Sequence, residues 1–242
     1  MNATVAQLTA RSLLGRRRAY LMMALPGVLL LLALALRAFV GQDDDVTVGV
    51  LGGFALATLV PLLGVIAGTG AIGPEIDEGS IVYLLAKPLN RQSIATTKAV
   101  VAMAVVTVFA ALPTFLAGLI LSGTSSRLAV AYGVGALVAG VAYVALFLLV
   151  AVLTRNAVVV GVLYALIWET LVGNFVPGAQ ALSIQQWGLA LTEKVLGDRA
   201  EPLGVSSAVS LGAAIPLLLI VIVGSTFYAG WRLRTLRLTS DE

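Results

Sequence analysis

The chain has 242 residues, of which 60% are hydrophobic and only 11% charged, and its mean hydropathy is +1.03. A soluble globular domain carries roughly 25% charged residues, so there are too few charges here to cover a water-facing surface, and an ordinary cytosolic enzyme is excluded. The absence of His and Cys removes His- and Cys-based triads, haem, iron–sulfur clusters, disulfides and His proton relays.

Residues 4–18 come first. Val5, Leu8, Leu13 and Leu14 alternate with Arg11, Arg16, Arg17 and Arg18. This pattern predicts a short amphipathic helix on the inner leaflet whose Arg heads meet anionic lipid, and the same cluster serves as a stop-and-orient signal. A helix must have about 20 apolar residues to cross the hydrocarbon core. Six stretches meet that measure: 19–40, 46–73, 99–121, 128–153, 156–172 and 206–231. No small-residue cleavage site follows the first, so it reads as a retained helix. The expectation is an all-α polytopic membrane protein: one permease domain over residues 1–242 with six transmembrane helices and an N-terminal amphipathic helix.

Six crossings place both termini on one side. Arg11, Arg16, Arg17, Arg18, Lys87, Arg91, Lys98, Arg155, Arg232, Arg234 and Arg237 lie there, which is 11 of the 15 Lys and Arg. Arg37, Arg127, Lys194 and Arg199 lie on the other side. The positive-inside rule then puts both termini in the cytoplasm of a cell inner (plasma) membrane. The net charge of +3 is thereby a topology signal, and no nucleic-acid partner is expected.

Small residues recur at spacings of three and four: Gly49 and Gly53, Gly64 and Gly68, and Gly133, Ala136 and Gly140. Such rows let helix backbones approach closely in lipid, within one chain or between two copies. Pro26, Pro61, Pro113 and Pro216 fall within or near spans, where kinks are tolerated if neighbours satisfy the freed carbonyls.

The connection between the second and third spans is the most informative stretch. Glu75, Asp77 and Glu78 precede Gly79, where a sharp turn is permitted. Ser80 can cap a helix over residues 81–86, and Pro88 stops it. Arg91 and Lys98 follow. The apolar run Ile81-Val-Tyr-Leu-Leu85 is too hydrophobic for a solvated linker. Either the membrane interface or a docked protein must cover it, and the residues alone leave both open.

This pattern resembles the permeases of ABC type 2 transporters: Glu75, Glu78-Gly79-Ser80, Leu84-Leu85, Lys87-Pro88, Arg91 and Lys98. Tyr164-Ala-Leu-Ile-Trp168-Glu169 and Leu182-Ser-Ile-Gln-Gln-Trp187 are similar to one branch of that family. The resemblance implies a cytoplasmic coupling helix between helices 2 and 3, docked on an ATPase subunit through Glu75, Asp77, Glu78, Gly79, Ser80, Leu84, Leu85, Lys87, Pro88 and Arg91. It implies a shorter second coupling turn at Thr154-Arg155-Asn156. It further implies two nucleotide-binding ATPase subunits, a second permease subunit (a copy or a paralogue) and an exporter's direction. ATP and Mg would be held by the ATPase partner, with no cofactor on this chain.

The residues support an external ATPase independently. None of the three lysines, Lys87, Lys98 and Lys194, closes a GxxxxGK[ST] loop. The acids Glu75, Asp77 and Glu78 are expected to pair with bases on the partner or to stand solvated. The alternative class is an ATP-independent secondary transporter or channel. Against it stand the scarcity of intramembrane charges and the unlike halves of the chain. An intramembrane enzyme is disfavoured because Glu169 alone is insufficient for acid–base work.

Glu169 is an ionisable residue near the outer end of the fifth span. It lines a path or carries protons by one reading, and sits at the interface beside Trp168 by the other. Asp43, Asp44 and Asp45 read as a solvated loop rather than a cation cluster. Trp187, Leu189, Leu191 and Val195 predict an amphipathic helix on the outer leaflet, partly re-entrant.

Overall fold

The computed structural model describes residues 3–77, 91–123, 126–172 and 178–235, and among these none is in a strand. Helix α1 (Ala3–Leu13) leads into α2 (Arg16–Phe39). Helices α3 (Asp44–Ile76) and α4 (Arg91–Ser122) follow, then α5 (Ser126–Leu153) and α6 (residues 157–172). Helix α7 (Ile184–Leu196) precedes the last, α8 (residues 211–235). Among the described residues five helices are long and apolar enough to cross a membrane, in α2, α3, α4, α5 and α8, and Ala157–Glu169 is a shorter apolar helix. The expected helix over residues 81–86 lies outside the described residues.

Helix α5 is the axis of the bundle. Its 28 residues span about 42 Å at 1.5 Å per residue, and α3, α4, α7 and α8 all pack on it. It is apolar on every side, as a helix surrounded by others must be. Close approach explains two of the glycine rows. A Cβ at Gly68 would lie 2.8 Å from Phe147 Cβ on α5, and one at Gly140 would lie 2.7 Å from Val106 Cγ1 on α4. Gly49 and Gly53 meet nothing within 4 Å, so that row does not serve packing within the chain.

Two prolines coincide with widened helical turns. A proline lacks an N–H, and its ring presses on the carbonyl four residues back. Residues Val50–Leu59 and Thr107–Ala111 are π-helical and end just before Pro61 and Pro113. There Val60 N–H bonds to the Ala55 carbonyl and Leu112 N–H to that of Thr107, each five residues back. The wider turn moves the crowded carbonyls aside without breaking the span. Tyr164–Val172 and Ile220–Gly224 are also π-helical.

The connections define two faces. One, the basic face, carries the start of α2, the ends of α3 and α5, the start of α4 and the end of α8. On the opposite face, Arg37 Nη1 donates to the Leu121 carbonyl at 3.2 Å and Gln42 Nε2 to that of Ser122 at 2.5 Å. Together they cover the end of α4. Asp43 caps α3, its Oδ1 accepting from Val46 N–H at 3.0 Å. Helix α1 lays Val5, Thr9 and Leu13 against the bundle, chiefly on α4, and leaves Leu8 and Leu14 outward. Part of its apolar stripe thus packs on protein, where the sequence alone pointed to lipid. Helix α8 begins five residues later than the expected span, because Ser207 and Ala208 are held outside the helix by α7: Ser207 Oγ donates to the Gln186 carbonyl at 2.9 Å, and Ala208 N–H to Gln186 Oε1 at 3.2 Å.

Candidate functional site

The segment resembling a coupling helix leaves α3 after Asp77 and rejoins the bundle at Arg91. Its core residues Glu78, Gly79, Ser80, Leu84, Leu85, Lys87 and Pro88 lie outside the described residues, and Asp77 is described in its backbone alone. Lys98 holds the segment's two flanks together. This side chain is 1% exposed. Its Nζ donates to the Ala71 carbonyl at 2.7 Å and to Glu75 Oε1 at 2.6 Å. Burying an ammonium is costly unless it is paired and hydrogen-bonded. Here a carboxylate and a carbonyl in the last turns of α3, where the helix dipole favours a cation, offset that cost. Glu75 therefore turns inward to the chain's own lysine, whereas the sequence alone pointed to a partner or to solvent. No local pattern signals this, since the two residues are 23 positions apart.

Arg91 also faces the bundle. Its Nη1 donates to the Leu233 carbonyl at 2.9 Å, and Gln92 Nε2 donates to that of Phe227 at 3.4 Å. The start of α4 is thus tied to the end of α8, and a side chain at Gly230 would collide with Gln92.

Arg155 is exposed in the turn between α5 and α6. A cavity of about 180 Å³ joins this turn to the end of α3, lined among others by Gly73, Pro74, Thr154, Arg155 and Asn156. The flank Gly73–Pro74, which leads into the first segment expected to meet an ATPase, and the second expected turn are therefore neighbours on the basic face.

Glu169 lies elsewhere and deeper than its place in the sequence implies. It is fully buried. Its Oε1 accepts from Ile184 N–H at 3.1 Å and from Tyr164 O–H at 3.2 Å, and Ser183 Oγ donates to Oε2. Tyr143 lies against the same carboxylate. Tyr143 is ten residues from the end of α5 at Leu153, about 15 Å along the axis, and so lies well inside the bundle. The reason is α7. Its Thr192 bonds to the Ala131 carbonyl at 3.3 Å, and Gly188 packs on Gly135 and Ala139. Helix α7 thus enters the bundle along α5, with its N-terminus inward. Glu169 and Ser183 satisfy the amide groups exposed there, Ser183 Oγ accepting from Gln186 N–H at 3.3 Å. The fixed position of the carboxylate is that of a helix-terminus partner. Sequence reasoning missed Ser183 and Tyr164 as its partners and Tyr143 as its neighbour. Only Ser183, three residues before Gln186 in a Ser-x-x-Gln pattern, carried a capping signal.

The sequence model of the ABC-2 family transporter proteins matches residues 4–229, nearly the whole chain. The chain belongs to that family. It is an ABC transporter permease, a multi-pass membrane component and not itself the ATPase, and the family associates with ATP-binding subunits. Among curated proteins, none matches it.

Proposed function

We propose that this chain is the membrane-spanning subunit of an ATP-driven exporter, in which two permease subunits and two ATPase subunits assemble and the chain itself contributes cargo passage and conformational switching. The observation that carries the reading is the meeting of Gly73–Pro74 with the Arg155 turn on one basic face. Two chain segments at one face offer a docking partner a two-point grip. The segment 78–90 supplies the larger contact: its apolar run would fill a groove on the ATPase, and Lys87 with Glu78 would set its register. The cargo is hydrophobic or amphiphilic, because the helices offer Ala, Val, Leu and Gly rather than charge.

The test is replacement of Glu78 and Gly79 together, followed by purification of the complex from its native membrane. The expected result is loss of the ATPase subunit that co-purifies with the unaltered chain. Undiminished association, with undiminished ATP hydrolysis, would remove this segment as the docking element. The mass of the intact complex decides the stoichiometry.

A further inference from the structure

The proposed docking segment can transmit force only if its ends move with the helices they join. In this chain the two ends are joined to each other. Lys98 Nζ reaches the Ala71 carbonyl and Glu75 Oε1 at 2.7 and 2.6 Å, so one side chain of α4 binds the last turns of α3. Seven residues earlier, Arg91 binds the end of α8 through the Leu233 carbonyl at 2.9 Å. Three helices thus share one mechanical node at the described flanks of this segment.

A buried lysine is a poor choice for stability alone. Apolar side chains of similar volume in place of both Lys98 and Glu75 would pack there with no charge to desolvate, and such replacement of a whole buried pair is often neutral or stabilising. What the ammonium adds is geometry. Two short hydrogen bonds to two different groups fix the relative height of α3 and α4, which apolar contact leaves free to slide. We propose that Lys98 is a positioning residue for energy coupling: by clasping the Ala71 carbonyl and the Glu75 carboxylate it makes both flanks of residues 78–90 one rigid unit, so that movement of the ATPase is passed to α3 and α4 together. The inference rests on the ATPase-docking reading above. Lys98 itself is buried, so it acts through the segment it frames.

The chain contains no cysteine, so spin labels can be placed singly without removing any residue. The complex with its ATPase is prepared carrying Phe39→Cys and Glu201→Cys, both exposed on the opposite face. The distance between the labels is measured before and after trapping with Mg·ATP and vanadate. The expected result is a shift on trapping in the otherwise unaltered complex. With Lys98→Met the shift is lost, while the amount of bound ATPase subunit and of trapped nucleotide is kept; Lys98→Arg, which retains charge and donors, restores it. A purely structural role would lower yield and trapping together and would spare the shift in whatever complex survives. If Lys98→Met does not accumulate, Lys98→Gln is read in its place, with a reduced shift expected. A full shift in either neutral variant overturns the inference alone. An unaltered chain that binds no ATPase subunit, or shows no shift on trapping, overturns the docking reading and this inference with it.

Discussion

The carboxylate of Glu169 is surrounded by donors that have no other obvious acceptor: the Ile184 amide, the Ser183 hydroxyl and the Tyr164 phenol. The carboxylate is fully enclosed by protein, so the buried Ile184 and Ser183 donors it would leave behind are cut off from water. Glu169→Ala is expected to lower stability by about 3 kcal/mol, since a buried unsatisfied group costs about 1–3 kcal/mol. Glu169→Gln is milder, about 1 kcal/mol, because its carbonyl still accepts and the Ser183 hydroxyl can turn to meet the new amide. Thermal unfolding in detergent, followed by tryptophan fluorescence, separates the two. Equal losses for Ala and Gln would mean that the site depends on charge rather than on acceptor geometry. The aromatic chain Tyr143–Phe147–Tyr164–Trp168, with ring centroids 5.8–6.3 Å apart, walls this site on the α5–α6 side.

Among the elements, α3 and α5 show how the same motif serves different ends. Gly64 and Gly68 face Tyr143 and Phe147 so closely that a methyl group at either position would require α3 to move away from α5. Gly49 and Gly53, one to two turns from the start of the same helix, face open space. Gly68→Ala is therefore expected to cost about 1–3 kcal/mol through overpacking, whereas Gly53→Ala should stay within about 0.5 kcal/mol. The same unfolding assay reads both, and comparable losses would contradict the packing described. The spacing of four residues is legible in sequence, but which row meets a neighbour is not, because that depends on the rotation of α3 against α5. The same limit applies to α7. Its apolar face is visible in Trp187, Leu189, Leu191 and Val195, yet its insertion depth is set by small residues on a distant helix, Gly135 and Ala139. That insertion draws Glu169 from an expected place at the span's outer end into the bundle's middle. The spans themselves are legible because hydropathy is a property of each segment alone.

For the molecule as a whole, the charge distribution and the helix packing make one claim about orientation. The contacts Lys98–Ala71, Arg91–Leu233 and the cavity joining Gly73 to Arg155 gather the ends of α3, α5 and α8 and the start of α4 on a single face. That is the face to which most of the Lys and Arg belong, and such an excess marks the side from which segments are not translocated. Arg155 and Glu201 are exposed at opposite ends of the bundle. In a chain without cysteine, Arg155→Cys and Glu201→Cys each supply one reactive thiol. A membrane-impermeant maleimide added to intact cells is expected to label the second and spare the first, and inside-out vesicles should give the reverse. The pair matters because the apolar helix Ala157–Glu169 within α6 reaches about 20 Å, less than the hydrocarbon thickness, so the sixth crossing expected from the sequence is the one this labelling tests. If α6 turned back to the basic face, both thiols would react from the same side, and the position of Glu169 beneath α7 would have to be rebuilt from a different topology.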